Sequence, residues 1–119
     1  IIIINYKSED IIEKCIRSIY YNNIFEIIVI DNEDNPKLMK KISSLPHIRI
    51  IPYTANLGFS KGNNKAIKEA KGEYIMALNA DVFLTKDYIN NCIKFLDENP
   101  NYSSTQGKLL SYKNNIITV

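Results

Sequence analysis

The 119 residues predict an α/β protein built on an open, mostly parallel sheet with helices on both faces. Three observations predict it. Short β-branched runs alternate along the chain with segments whose apolar residues recur at helical spacing. The runs are apolar throughout, as in strands covered on both faces. Turn residues separate each run from the helix that follows, and such alternation folds as right-handed β-α-β crossovers.

Ile1–Asn5 reads as the first strand. Ser8 stands where it can cap the next helix, with Glu9 and Asp10 favourably placed against the positive end of its dipole. Ile12, Cys15, Ile16 and Ile19 form the apolar stripe of that helix. Ile27–Ile30 is a second strand and runs directly into Asp31. Asn35-Pro36 signals a short helix through Ile42, with Asn as cap and Pro at the first helical position. Ile48–Ile51 is the third strand, stopped by Pro52, and Tyr53–Gly58 is a loop. Phe59, Asn63, Ala66, Ile67 and Ala70 trace a helix face that Gly72 is placed to close. Glu73–Leu78 reads as the fourth strand. Thr85 is placed to cap a helix striped by Ile89, Cys92, Ile93 and Leu96, and Ser103–Val119 carries one or two weaker strand signals.

Composition narrows the function. The length fits one domain, 1–119, and 45% hydrophobic with 24% charged residues is a globular balance rather than a disordered one. A net charge of +2 and a pI near 8.5 argue against a nucleic-acid partner, for which a basic stripe and a pI above about 9 are expected. No apolar run approaches the ~18 residues of a transmembrane helix. Cys15 and Cys92 both fall on apolar stripes and read as buried structural thiols. His47 is the only histidine, so a histidine-based metal site has no partners. The chain opens on Ile1, without the features of a signal peptide, and is expected to begin inside a domain.

Ligands of such sheets bind at the carboxyl ends of the strands. The loops there read Asn5-Tyr6-Lys7-Ser8, Asp31-Asn32-Glu33-Asp34, Tyr53–Gly58 and Asn79-Ala80-Asp81. Neither G-x-G-x-x-G nor G-x-x-x-x-G-K-[ST] occurs, which excludes a dinucleotide fingerprint and a P-loop. Asp31 reads in two ways. It can accept a hydrogen bond from a ligand N–H, such as the imide of uracil or thymine, with Tyr6 stacked on the base. Alternatively it belongs to a turn, for which Asp-Asn-Glu-Asp-Asn-Pro has the chemistry. Asp81 is likewise a turn or helix-start residue, or a ligand for a hard cation that shares substrate phosphates. A diphosphate leaving group needs such a cation to neutralise its developing charge.

The run Ile-Ile-Ile-Asn-Tyr, then Glu-Ile-Ile-Val-Ile-Asp-Asn, then Asn56-Leu57-Gly58-Phe59-Ser60-Lys61-Gly62-Asn63-Asn64, then Gly72-Glu73-Tyr74-Ile75-Met76-Ala77-Leu78-Asn79-Ala80-Asp81 resembles family 2 glycosyltransferases. The rhamnosyltransferase-like branch is the closest in flavour. The resemblance implies a Rossmann-like GT-A fold, truncated here to the N-terminal donor-binding part. It further implies a nucleotide-diphosphate sugar donor (dTDP-rhamnose or a UDP-sugar), a saccharide or lipid-linked saccharide acceptor, a divalent metal (Mg2+ or Mn2+) and inversion at the anomeric carbon. Carried over by motif, Tyr6 lies against the pyrimidine and Asp31 bonds its N3–H. Asn56 and Gly58 shape the nucleotide pocket by close backbone approach, and the resemblance also assigns Asn64, Lys61 and Asn79 to nucleotide binding. Asn79-Ala80-Asp81 occupies the D-x-D position, with Asp81 as the metal-linked carboxylate. Asn79 departs from the motif's first acid and offers an oxygen without charge.

A second departure concerns the base. An inverting transferase needs a carboxylate to take the acceptor's proton, and in the family it lies well downstream of D-x-D. Asp87, Asp97 and Glu98 fall on a predicted helix, where a solvated face explains them. The chain therefore reads as the donor-binding half of a bacterial polysaccharide-building enzyme, cytoplasmic and at the inner face of the membrane. Two readings compete. A sugar nucleotidyltransferase would need a glycine-rich basic loop after the first strand, which Asn5-Tyr6-Lys7-Ser8 is not. A non-catalytic nucleotide-binding or interaction module of the same fold would explain Asn79 as a trace of lost metal binding. The 119-residue chain alone is expected to transfer no sugar; a glycosylated product formed from a labelled nucleotide sugar would contradict this.

Overall fold

The computed structural model describes residues 1–20, 22–113 and 116–118. The elements follow as β1 (Ile2–Asn5), α1 (Ile12–Ile19), β2 (Ile27–Asp31), α2 (Pro36–Ile42), β3 (Ile48–Pro52), α3 (Gly58–Glu69), β4 (Ala77–Asn79), α4 (Tyr88–Glu98), β5 (Ser111–Lys113) and β6 (Ile116–Thr118). They form two compact units, Ile1–Lys86 and Asp87–Val119.

The first unit is a parallel sheet in the order β3-β2-β1-β4. Its register aligns Asn5 with Asp31, Asp31 with Pro52, and Ile4 with Asn79, so the strand ends share one edge. The chain steps from β1 to β2 to β3 in one direction and then returns to lay β4 beside β1. Right-handed crossovers therefore put α1 and α2 on one face and α3 on the other. Ala66 of α3 packs with Ile2, Ile28 and Ile30, and Ile4, Ile51, Tyr53 and Leu57 surround them. On the opposite face Ile3, Ile27 and Val29 are fully buried, as are Ile12, Cys15, Ile16 and Ile19 of α1 and Leu38 and Ile42 of α2. β2 is buried at every position and β1 at all but the half-buried Ile4, whereas β3 is only half-buried and β4 is exposed at Ala77 and Asn79, so the apolar runs do not all become strands covered on both faces.

Gly62 lets α3 lie close to β1. A Cβ built on it would stand 2.9 Å from Ile4 Cδ1. In the second unit α4 is followed by the antiparallel pair β5–β6. There the Gly107 N–H donates to the Tyr88 hydroxyl at 2.9 Å, and Phe95 meets Tyr102 edge-on with centroids 5.5 Å apart.

Element ends differ from the sequence reading in four places. Ser8 does not cap α1 with its side chain: its hydroxyl donates to the Tyr6 carbonyl at 3.1 Å, while its own carbonyl accepts the N–H groups of Ile11 and Ile12. The helix consequently starts at Ile12. Gly72 does not close α3, because Ala70 already turns extended at φ −70° and ψ 142°. β4 is confined to Ala77–Asn79, since these are the residues β1 pairs; Tyr74 and Ile75 remain exposed despite their strand propensity. α4 begins at Tyr88 rather than after Thr85, behind Asp87 in the left-handed region at φ 63°. Asn35 does cap α2, its Oδ1 accepting the Lys37 N–H at 3.0 Å.

Gly62→Val is expected to drive a branched side chain into Ile4 and to destabilise the unit by about 1–3 kcal/mol. The change should appear as a lower urea midpoint at unchanged slope.

Candidate functional site

The strand order reverses between β1 and β4, so the carboxyl edge around these two strands is the topological switch point at which α/β sheets bind ligands. Asn5 and Asp31 are both completely buried at this edge. The Asn5 Nδ2 donates to Asp31 Oδ1 at 2.8 Å, and the Asn35 N–H donates to Asp31 Oδ2 at 2.6 Å. The Asp31 carbonyl accepts the Tyr53 N–H at 2.7 Å. One residue thus holds β1, the turn before α2 and the start of the loop after β3. A buried carboxylate needs such donors, because an unmet charge there is costly.

The neighbouring loops are tied in the same way. The Lys7 N–H donates to Glu33 Oε2 at 2.7 Å, with Lys7 in the left-handed region at φ 55°. The Asn32 N–H donates to the Asn5 carbonyl, and Asn32 Oδ1 accepts the Leu57 N–H at 3.2 Å. Asn56 Oδ1 accepts the Gly58 N–H at 2.7 Å, closing a turn that enters α3. Gly58 has φ +72°, a conformation that favours glycine. Tyr6, just beyond β1, is exposed, and the Lys7 ammonium lies 5.3 Å from its ring centroid.

The Asn79-Ala80-Asp81 turn is secured from α1. Cys15 Sγ donates to the Asn79 carbonyl at 3.6 Å, and Ser18 Oγ accepts the Leu84 N–H at 2.9 Å. Ala80 and Leu84 are buried, whereas Asn79 and Asp81 are exposed. Burial pushes the Cys15 thiol up to about 12, and the negative charge of Asp81 adds to the effect. Cys15 is thus the buried thiol expected from the sequence; Cys92 is only half-buried.

Of the residues singled out by sequence, the structure gathers Tyr6, Asp31, Asn56, Gly58, Asn79 and Asp81 at the carboxyl ends of β1 to β4. Asn64 and Lys61 sit apart, exposed on α3, where Asn63 is the asparagine turned toward the sheet. Asn5, Asn32 and Ser18 were not singled out. Asn5 read as a strand end and Asn32 as part of a turn; only three-dimensional register makes them the clasps of the edge. Among the described residues, Asn5 Oδ1 and Asn32 Nδ2 are buried without a protein partner.

The donor set fits a cation shared with a ligand rather than a protein cage. Asp81 offers an exposed carboxylate and Asn79 an exposed amide, both oxygen donors suited to Mg2+ or Mn2+. No group of three or more His, Cys, Asp or Glu poised for a metal occurs among the described residues.

Comparison with known proteins adds the following. Residues 1–115 match the family model Glycosyl transferase family 2. The chain is 31% identical over 115 residues to the low-salt glycan biosynthesis hexosyltransferase Agl10 of Haloferax volcanii, covering 93% of this chain and 36% of that protein. The crystal structure of S. aureus TarS 1-349 superposes with a TM-score of 0.69 at 24% identity, over 82% of this chain and 31% of that one. The mannosyltransferase PcManGT from Pyrobaculum calidifontis, solved in complex with GDP-Man and Mn2+, superposes with a TM-score of 0.70 at 22% identity, over 80% of this chain and 31% of that one. The chain therefore spans about a third of the length of these relatives.

Asp31→Ala is expected to strand the Asn5 amide and the Asn35 N–H, at about 1–3 kcal/mol for each buried donor left unmet. Asp31→Asn, which keeps one acceptor, should lose less. Urea unfolding of both variants measures the difference.

Proposed function

Because the chain belongs to glycosyl transferase family 2 and has its GT-A fold, we propose that it is the nucleotide-sugar-binding part of an enzyme moving a glycosyl group from a nucleotide-diphosphate sugar to a saccharide or lipid-linked saccharide acceptor. The observation that supports this reading is that Tyr6, Asp31, Asn56 and Asp81 all stand at, or in the loops after, the carboxyl ends of strands of one parallel sheet. In the proposed reaction an acceptor hydroxyl oxygen attacks the anomeric carbon as the bond to the nucleoside diphosphate breaks, with inversion. dTDP-rhamnose or a UDP-sugar is the donor we favour.

In this reading the exposed Tyr6 ring stacks on the pyrimidine. Each Asp31 oxygen has accepted one protein hydrogen bond, and a carboxylate has about four lone-pair sites. Asp31 is completely buried, so a base N3–H would use the remaining capacity only once the loops over this edge part. The Asn56–Gly58 turn brings backbone close to the nucleotide, and Asn64 and Lys61 lie farther along α3. Asp81, with Asn79 beside it, would hold the divalent cation, which when bound supplies charge to the departing diphosphate. The role of this chain's residues is to bind and orient the donor. The cytoplasm, at the inner face of the membrane, is the location that fits a nucleotide-sugar donor.

A second reading rests on Asn79. An amide where the motif carries an acid weakens any cation site, which favours a non-catalytic nucleotide-binding module of the same fold. Calorimetric titration with UDP and dTDP, with and without Mn2+, tests both. The transferase reading expects diphosphate affinity that rises at least about tenfold, or 1.4 kcal/mol, with Mn2+. That gain should vanish in Asp81→Ala, and Asp31→Asn should weaken the nucleotide with the metal present. Affinity indifferent to Mn2+ supports the module, and no nucleotide affinity in a chain shown to be folded refutes both.

A further inference from the structure

The sheet does not hold Asp81 directly. β4 pairs with β1 only as far as Asn79, so the ladder ends two residues before Asp81. Ala80 and Leu84 are buried on either side of it, while Asp81 itself is exposed. One turn of α1 reaches both ends of residues 79–84. At the near end the Asn79 carbonyl accepts the Val82 N–H at 3.2 Å and the Cys15 thiol at 3.6 Å. At the far end the Leu84 N–H donates to Ser18 Oγ at 2.9 Å.

The two anchors are unequal. A thiol is a weak donor, so Ser18 is the firmer of the pair. Its hydroxyl has one proton and two lone pairs. The proton is spent within α1 on the Cys15 carbonyl at 2.6 Å, which leaves the oxygen as the acceptor that Leu84 meets. A hydroxyl committed to its own helix in this way is aimed, because it cannot turn to donate elsewhere. A helix serine that only satisfied itself would make the first bond and not the second. A cation held by one carboxylate and one amide beside a diphosphate has few protein ligands, so the placement of each decides the fit.

We propose that Ser18 is a positioning residue for the cation that Asp81 and Asn79 would share with a nucleoside diphosphate. By fixing Leu84 to α1 it sets where the Asp81 carboxylate stands. It therefore governs the cation-dependent part of nucleotide binding and no other part. The role rests on the proposed reading of Asp81 as a cation ligand.

Calorimetric titration with UDP and dTDP, with and without Mn2+, tests it in Ser18→Ala, Ser18→Cys and Ser18→Thr beside the unaltered chain. Alanine removes the acceptor, and cysteine replaces it with a weak one. Threonine keeps an oxygen able to make the same bond back into a helix. In Ser18→Ala and Ser18→Cys the Mn2+ gain in affinity is expected to shrink about three- to tenfold, the size of one lost hydrogen bond. Affinity without Mn2+ should stay unchanged, and Ser18→Thr should restore the gain. Hydrogen exchange, read without nucleotide or metal, should quicken at the Leu84 N–H relative to the Val29 N–H of the sheet core in both weakened variants. An unaltered chain without a Mn2+ gain refutes the cation reading and this role with it. A gain that Ser18→Ala and Ser18→Cys retain, or unchanged relative exchange at Leu84, refutes the role alone. Equal loss of affinity with and without Mn2+, or no rescue by threonine, marks Ser18 as structural only and also overturns the proposal.

Discussion

The hydrogen bond from the Asn5 amide to the Asp31 carboxylate is the interaction on which the carboxyl edge depends. It lies where water is excluded, so both its strength and the cost of leaving it unmade are greater than at the surface. Asp31 spends its second oxygen on the turn before α2 and its carbonyl on the start of the loop after β3. Three segments of chain therefore take their position from a single residue. A purely apolar strand end would bury as well, but it would not index the loops to one another.

The acidic half of the edge has a different support. Its turn hangs from α1 through the Cys15 thiol and the Ser18 hydroxyl, on the helix face that buries Ile12, Ile16 and Ile19. Ser18 also donates to the Cys15 carbonyl at 2.6 Å, so the two anchors are linked. The same helix thus serves as core and as scaffold. Substitutions in its stripe act on Asp81 at a distance, through placement rather than charge.

Much of this was legible in the sequence. β1, β2 and β3 declare themselves as β-branched runs, and the alternation with helical stripes dictates a parallel sheet before any register is known. What was not legible depends on backbone geometry or on pairing. Asn35 caps its helix while Ser8 and Thr85 stand ahead of theirs, because a cap requires particular dihedrals and not only a suitable side chain. Tyr74 and Ile75 favour a strand locally but lie outside the span that β1 pairs. Asn63 and Asn64 are equivalent by composition, and only the packing of α3 separates the buried one from the exposed one.

The place of β4 in the sheet has a kinetic side. Ile2 pairs with Ile28, 26 positions away, and with Ala77, 75 positions away. Closing the longer loop costs about 1 kcal/mol more in chain entropy. β1, β2 and β3, with the Asn5–Asp31 clasp, can therefore assemble while the segment carrying Asp81 is still unattached. β4 is a marginal strand held to β1 by three residue pairs, so its local opening is expected to cost less than unfolding the whole unit. Whatever engages Asp81 is coupled to that local opening equilibrium, which can shift by a large factor while the melting of the whole unit hardly moves.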